Sequence, residues 1–188
     1  MRKLAQNIAD AIKQNDSNLT ELQMKKIRFG MECLLNELSK FLIYLSVFTV
    51  FGVVKQYFVS VIFFGLLRGI TGGYHEDTYW KCFRTTFILF IIIIFIGTKF
   101  SFNFQVSVLL ILISLIISYI YAPVDHPNKP IISKKRRIAL KYFSMIIIIT
   151  LGGISFLLHN SLRNVAQLAI FFDSLMIVAG YYKNKSLK

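Results

Sequence analysis

Cysteine and acidic residues are scarce in this sequence, and both shortages exclude classes of protein. Two cysteines, Cys33 and Cys82, cannot form the disulfide framework of a small secreted fold. No CxxC or HxxxH pair occurs, so the spacing of a strong metal site is lacking, and we expect neither a metal ion nor another cofactor. Nine acidic residues face 22 basic ones, which leaves a net charge of +13.

The apolar content is too high for an ordinary soluble domain of this size. Hydrophobic residues make up 55% of the 188 residues, and Phe alone occurs 18 times. A nucleic-acid-binding protein would collect its basic residues on one surface, whereas here they stand at the ends of apolar segments. The positive charge therefore indicates loops that face anionic membrane lipids, and we expect no nucleic-acid partner.

Six apolar segments predict an all-α, polytopic membrane protein with about six transmembrane or partly re-entrant helices. They cover residues 40–54, 57–67, 85–98, 104–122, 139–158 and 164–182. A span needs roughly 20 residues, so the segment at 57–67 is short enough to be a half-span or a re-entrant helix. We expect one membrane-embedded domain, with interfacial helices in residues 1–37, membrane helices in 38–182 and a basic tail in 183–188.

The polar N-terminal region predicts two amphipathic helices. Within residues 1–15 one helical stripe is apolar, and it consists of Leu4, Ile8, Ala11 and Ile12. Asn18 and Glu21, three residues apart, resemble a capping box that would start the second helix.

Charge asymmetry orients the segments. Lys and Arg concentrate at the N-terminus, in residues 68–84 and 123–138, and in the C-terminal tail, whereas the alternate turns hold only Lys55, Lys99 and Arg163. This pattern predicts a multi-pass protein of the cell membrane with both termini, residues 75–82 and a loop at 123–138 on the cytoplasmic side.

The stretch from Arg68 to Cys82 is a polar island between two apolar segments. Gly72 and Gly73 weaken a helix, so they predict the end of the second segment. His75 follows, and a new helix would carry Cys82 into the third segment. A thiol beside an imidazole suggests a cysteine nucleophile with its base. Seven residues of helix span about 10.5 Å, so either His75 precedes the helix and folds back to reach the sulfur, which we favour, or the pair closes when substrate binds.

Other interpretations of this island remain open. Cys82 can be a packing residue and His75 an interfacial histidine. A metal site is a second alternative, and it would use His75, Glu76, Asp77 and Cys82 without the strong ligand spacing. Glu76 and Asp77 also suit the first turn of the new helix, where the helix dipole favours acids.

Three prolines, at positions 123, 127 and 130, make a stiff loop that contains Lys129. A basic run follows it and consists of Lys134, Lys135, Arg136 and Arg137. The run suffices as an anchor on lipid headgroups, and it can also dock an acidic peptide. Arg68 likewise either snorkels to the headgroups or orients a carboxylate or a developing oxyanion.

Three stretches form a combined pattern that is more specific than any one of them. They are Phe29-Gly30-Met31-Glu32; Arg68 with Gly72-Gly73-Tyr74-His75 and Cys82; and Pro123 with Pro127-Asn128-Lys129-Pro130-Ile131. Together with the size and hydropathy profile, this pattern resembles the accessory gene regulator B (AgrB) family of Gram-positive quorum-sensing systems.

The resemblance implies a membrane cysteine endopeptidase that acts on a short pro-peptide of the AgrD type. Cys82 would be the nucleophile and His75 its base. The enzyme would remove the acidic C-terminal tail through a Cys82 thioester, which lets a thiolactone or lactone ring of an autoinducing peptide close. The family also suggests a homodimer. Supporting or substrate-binding residues would be Glu32, Arg68, Gly72, Gly73, Lys129, Lys134, Lys135, Arg136 and Arg137.

Two other functions compete with proteolysis. A small multi-pass transporter or peptide exporter would line a pathway with His75 and Arg68. Polar residues inside the spans would favour transport, yet Asp173 is the only acid within a clear span. A non-catalytic membrane scaffold is the third function considered.

Overall fold

The computed structural model describes residues 2–15, 19–74, 76, 78–125 and 131–186. This part of the chain is all-α and contains no β-strand. Its helices are α1 (Arg2–Asn15), α2 (Glu21–Val50), α3 (Val54–Thr71), α4 (Tyr79–Lys99), α5 (Phe104–Tyr121), α6 (Lys134–Phe156) and α7 (Asn160–Ser186). Six of the described helices, α2 to α7, are long and apolar enough to cross a membrane. The predicted fold class is confirmed.

The first of two compact units, Met1–Phe51, contains α1 and α2. Helix α1 packs on α2, and its small residues Ala5 and Ala9 are buried. Leu4 and Ile12 of the predicted apolar stripe stay exposed. An exposed apolar stripe on a short helix is what binding in a membrane interface requires.

Helix α2 begins at a capping box. The Thr20 hydroxyl accepts a hydrogen bond of 3.3 Å from the Gln23 N–H, and the Gln23 side chain accepts one of 2.8 Å from the Thr20 N–H. The box is therefore Thr20–Gln23 and not the predicted pair Asn18–Glu21. Glu21 is instead the first helical residue, and Asn18 lies outside the described residues.

Helix α2 continues without a break for 30 residues. The sequence predicted an interfacial helix up to residue 37 and a separate apolar segment from residue 40. The structure joins them, because residues 36–40 contain neither proline nor glycine and can extend a helix.

Helix α7 is the central helix of the second unit, Gly52–Lys188. It packs against α3, α4, α5 and α6, and residues 164–170 are buried on every side of the helix. Gly97 of α4 allows one close approach, because a Cβ there would lie 2.5 Å from the Val165 Cγ2 atom. A helix that is buried all round fits the centre of a membrane bundle.

Polar side chains also join the helices of this unit. The Asn164 amide donates to the Phe100 carbonyl at 2.8 Å, and the Gln167 amide donates to the Ser155 hydroxyl at 3.2 Å. Ser118 and Ser144 share a hydrogen bond of 3.0 Å between α5 and α6. Such bonds stabilise packing between helices in lipid, where water offers no competing partner.

Besides α2, four helices extend beyond the apolar segments that predicted them, and they are α3, α4, α6 and α7. Helix α3 has 18 residues, so it is long enough to be a candidate span rather than a half-span. Helices α4 and α6 begin several residues before positions 85 and 139, because the N-cap hydroxyls of Thr78 and Ser133 accept first-turn N–H groups. Glu76 therefore precedes α4 and is not in its first turn as predicted, while Asp77 lies outside the described residues.

Candidate active site

Two glycines end α3, as the sequence predicted. The Gly72 N–H donates to the Arg68 carbonyl at 3.2 Å, and Gly72 and Gly73 adopt φ angles of +68° and +130°. Residues with a side chain rarely adopt either backbone conformation, so the turn requires glycine at both positions. We call residues 72–74 the glycine turn, because they carry the chain from α3 toward position 75.

The backbone of the glycine turn is held on two sides. The Val124 N–H donates to the Thr71 carbonyl at 2.8 Å, and Gly72 forms a short parallel bridge with Val124 after α5. On the other side, the Tyr74 N–H donates to the Met176 carbonyl of α7 at 2.9 Å. These three segments therefore meet at one end of the second unit.

Arg68 braces the glycine turn. Its guanidinium donates to the Gly72 carbonyl at 3.1 Å and to the Tyr74 carbonyl. The side chain is only partly exposed. Headgroup contact and anion binding were predicted for Arg68 from the sequence, whereas this contact with the backbone was not. One arginine thus fixes both ends of the turn that leads to His75.

Asp173 of α7 contacts Thr71, the residue that precedes the glycine turn. Its side chain is fully buried, and its Oδ2 atom accepts a hydrogen bond of 3.1 Å from the Thr71 hydroxyl. The carboxylate singled out as a possible transport group therefore contacts the end of α3.

Cys82 lies in α4, as predicted, and within the first turn of that helix. Its N–H donates to the carbonyl of the N-cap residue Thr78 at 3.0 Å, and its side chain is partly exposed. Both cysteines are thiols, since neither Cys33 nor Cys82 is in a disulfide. The start of α4 thus carries a thiol that a ligand can reach.

Glu76 joins the chain after position 75 to α4. Its carboxylate accepts a hydrogen bond of 3.2 Å from the Thr85 hydroxyl, and Thr85 lies three residues beyond Cys82. Residues three apart are neighbours on a helix surface. Glu76 and Thr85 also help to line a cavity of about 300 Å³, whose other lining residues are Lys81, Arg84 and Ile88.

Apart from the basic run, the predicted site residues fall into three groups. Arg68, Gly72 and Gly73 meet at the glycine turn, and Cys82 lies at the start of α4. His75 and Lys129 lie outside the described residues. Glu32 belongs to the first unit, where it lines a cavity of about 260 Å³ on α2 together with Lys25, Arg28 and Phe29.

The basic run begins α6 rather than lying in a loop. Lys134, Lys135, Arg136 and Arg137 are exposed in the first turn. Arg137 differs from the other three residues, because its guanidinium pairs with the Asp125 carboxylate at 2.5 Å. Cations are unfavourable at a helix N-terminus, so this run of four suggests a role other than helix stability.

Several residues that shape the site were missed from the sequence. They are Thr71, Thr85, Asp125 and Met176, each of which bonds another segment of the chain, and Gly180, whose lack of a Cβ leaves room for the backbone of Gly73. Thr71 beside the two glycines was the one available signal. Among the described residues no group of three His, Cys, Asp or Glu side chains is placed to hold a metal ion.

The candidate spans and the glycine turn define a polytopic helical membrane protein with a thiol at one end of its bundle. A family model described as Accessory gene regulator B matches residues 5–178, and the chain belongs to this family. The predicted family is confirmed. Membership gives the protein a general role in the accessory gene regulator systems of quorum sensing.

Individual relatives are similar over most of their length. An AgrB-like protein of Clostridium beijerinckii is 27% identical over 179 residues, which cover 95% of this chain and 88% of the relative. Accessory gene regulator protein B of Staphylococcus aureus strain Newman is 25% identical over 177 residues, 93% of this chain and 92% of the relative. The protein of that name in strain MW2 is 26% identical over 175 residues, 92% and 91%. No solved structure gives a significant match.

Proposed function

We propose that this protein is a membrane cysteine endopeptidase that cleaves the C-terminal tail from an AgrD-type pro-peptide. Cys82 is the nucleophile and His75 is its base. The main supporting observation is the hydrogen bond between Glu76 and Thr85. It ties the residue next to His75 in the chain to the turn of α4 that follows Cys82, so it links the segment of the proposed base to the helix of the proposed nucleophile.

Acyl transfer accounts for both products of such an enzyme. The Cys82 sulfur attacks the scissile carbonyl carbon, and His75 accepts the thiol proton and returns it to the leaving amine nitrogen. The C–N bond breaks, the tail departs, and a thioester joins Cys82 to the remaining peptide. A thiol or hydroxyl of that peptide then attacks the thioester, closes the ring and releases the Cys82 sulfur.

Lys134, Lys135 and Arg136 would attract the acidic tail. Their side chains are exposed at the N-terminus of α6, where the helix dipole adds to their positive charge. Attraction of this kind acts over about 8 Å at physiological salt and weakens as salt rises. Arg137 would instead hold the segment after α5 through its ion pair with Asp125.

The proposal also assigns an orientation. Both termini and Cys82 would face the cytoplasm, where thiols stay reduced and the positive-inside pattern is satisfied. Exposed apolar side chains such as Phe95, Leu112 and Ile116 would contact lipid. A second copy of the chain is the proposed protein partner.

The test compares the two cysteines. We expect purified protein in proteoliposomes to cut a synthetic AgrD-type pro-peptide, with the tail and the cyclic product detected by mass spectrometry. Cys82→Ala should abolish both products, whereas Cys33→Ala should retain them. A covalent adduct of the peptide core on Cys82 would identify the nucleophile. Unchanged cleavage by Cys82→Ala would refute the proposal.

A further inference from the structure

Asp173 stands in the middle of α7, which runs from Asn160 to Ser186. At 1.5 Å per residue, it lies roughly 20 Å from each end of the helix. A carboxylate at this depth is costly, and such residues are rare outside functional sites. Its side chain is also completely buried, so water at the bundle surface does not offset the cost.

One group on α3 contacts this carboxylate. The Thr71 hydroxyl donates to Oδ2 at 3.1 Å, and Arg68 lies three residues before Thr71 on the same helix surface. No group that the structure describes donates a hydrogen bond to the second oxygen, Oδ1. The Oδ2 atom of Asp173 is therefore directed at the end of α3 that leads into the glycine turn.

Thr71 and Arg68 also hold the glycine turn. Arg68 donates to the Gly72 and Tyr74 carbonyls, and the Thr71 carbonyl accepts the Val124 N–H at 2.8 Å. Helix α7 adds a direct contact three residues after Asp173, where the Met176 carbonyl accepts the Tyr74 N–H at 2.9 Å. All these interactions converge on the residues that immediately precede His75.

We infer that Asp173 is a positioning residue of the peptidase: through Thr71 it fixes the end of α3 and, together with Arg68, the glycine turn that precedes His75 in the chain. The inference rests on the proposed function for the role of His75. Asp173 itself touches neither substrate nor the reacting atoms.

Gln167 provides a matched control for general polar packing. It lies on the same helix, is completely buried like Asp173, and donates to a side chain of another helix, Ser155 of α6. It has no described contact with the glycine turn. A purely structural role of buried polar groups on α7 would make Gln167 and Asp173 respond alike.

The experiment uses the full chain in proteoliposomes with the variants Asp173→Asn, Thr71→Val, Thr71→Ser and Gln167→Met. Hydrogen–deuterium exchange of the peptide covering residues 72–78 reports on the turn without any substrate. We expect exchange to rise about tenfold in Asp173→Asn and Thr71→Val, and to stay within about twofold of the wild type in Thr71→Ser and Gln167→Met.

Kinetics give the second measurement. Misplacement of a catalytic group lowers kcat, so Asp173→Asn and Thr71→Val should lose about tenfold or more in kcat with KM nearly unchanged. Thr71→Ser keeps a hydroxyl at this position, so it should retain most of the wild-type kcat that Thr71→Val loses. Melting temperatures of all four variants show whether the bundle remains folded.

The two proposals fail in different ways. If Asp173→Asn matches Gln167→Met in exchange and in kcat, Asp173 is not a positioning residue. Increased exchange across the whole chain, instead of at residues 72–78, would also overturn the inference, because it would indicate general destabilisation. Cleavage that survives Cys82→Ala would overturn the proposed function, and the exchange data would still decide whether Asp173 holds the turn.

Discussion

Glu76 and Thr85 are joined by a hydrogen bond of 3.2 Å that crosses from the chain before α4 to the second turn of that helix. The bond spans the start of α4, where Cys82 lies between the two partners in sequence. Because Glu76 directly follows His75, this contact ties the segment carrying the proposed base to the helix carrying the proposed nucleophile.

Removal of the Thr85 hydroxyl should therefore slow cleavage. A hydrogen bond to a charged group contributes about 1.5–3 kcal/mol when buried and less when partly exposed, so we expect Thr85→Val to lower kcat roughly three- to tenfold. Thr98→Val is the control, because Thr98 lies on the same helix and bonds only locally, to the Ile94 carbonyl at 2.7 Å. Equal rates for the two variants, measured by tail release, would remove Glu76–Thr85 from the site.

The basic run should divide into two functions. We expect replacement of Lys134, Lys135 and Arg136 by Ala to raise KM for a peptide with an acidic tail, by about two- to fivefold per charge, because exposed ion pairs contribute about 1 kcal/mol or less. The increase should shrink at high salt. A peptide with a neutral tail should show no difference between the variant and the wild type.

Arg137→Ala should behave differently, because its partner belongs to the protein. Loss of the pair with Asp125 should loosen residues 122–125, which bond the end of α3, and so lower kcat for acidic and neutral tails alike. Asp125→Asn should reproduce this effect. If Arg137→Ala instead changes only KM for the acidic tail, Arg137 binds substrate like its neighbours.

The sequence predicted the class of fold and part of the site for identifiable reasons. Apolar segments and flanking charges depend on local composition, so the membrane helices were recognisable, as was the glycine break after Thr71. Helix ends were less accurate: Lys134–Arg137 were expected in a loop because they are polar, but the Ser133 cap extends α6 over them.

The contacts between helices that shape the site could not be predicted, because they join positions far apart in the chain. Thr71 and Asp173 are separated by 102 residues, and Asp125 and Asn184 by 59. No local pattern indicates which helix face meets which. Asp173 could be recognised as an unusual intramembrane acid, whereas its partner required the packing of α7 on α3.

The predicted orientation can be tested by labelling in vesicles. In a Cys33→Ala background, a membrane-impermeant maleimide should label Cys82 from the cytoplasmic side and leave it unlabelled from the outside, because the positive-inside pattern places α4's start in the cytoplasm. Ser101→Cys, in the turn after α4, should show the opposite pattern in a background that also carries Cys82→Ala. Labelling of Cys82 from outside would reverse the topology.

Close packing of α7 against the glycine turn makes a further prediction about stability. A Cβ on Gly180 would overlap the backbone of Gly73 and Tyr74, whereas one on Gly153 of α6 would meet no atom within 4 Å. Overpacking typically lowers the free energy of unfolding by about 1–3 kcal/mol. Replacing glycine by alanine at an uncrowded helix position raises it by as much as about 1 kcal/mol.

We therefore expect Gly180→Ala to lower the melting temperature by several degrees, at roughly 2–4 °C per kcal/mol of lost stability, and to reduce cleavage. Gly153→Ala should leave the melting temperature unchanged or raise it. Thermal unfolding of the two purified variants in the same detergent provides the measurement. If Gly180→Ala is as stable and as active as Gly153→Ala, α7 does not pack closely against the glycine turn. Packing of α7 would then not contribute to holding residues 72–74 in place.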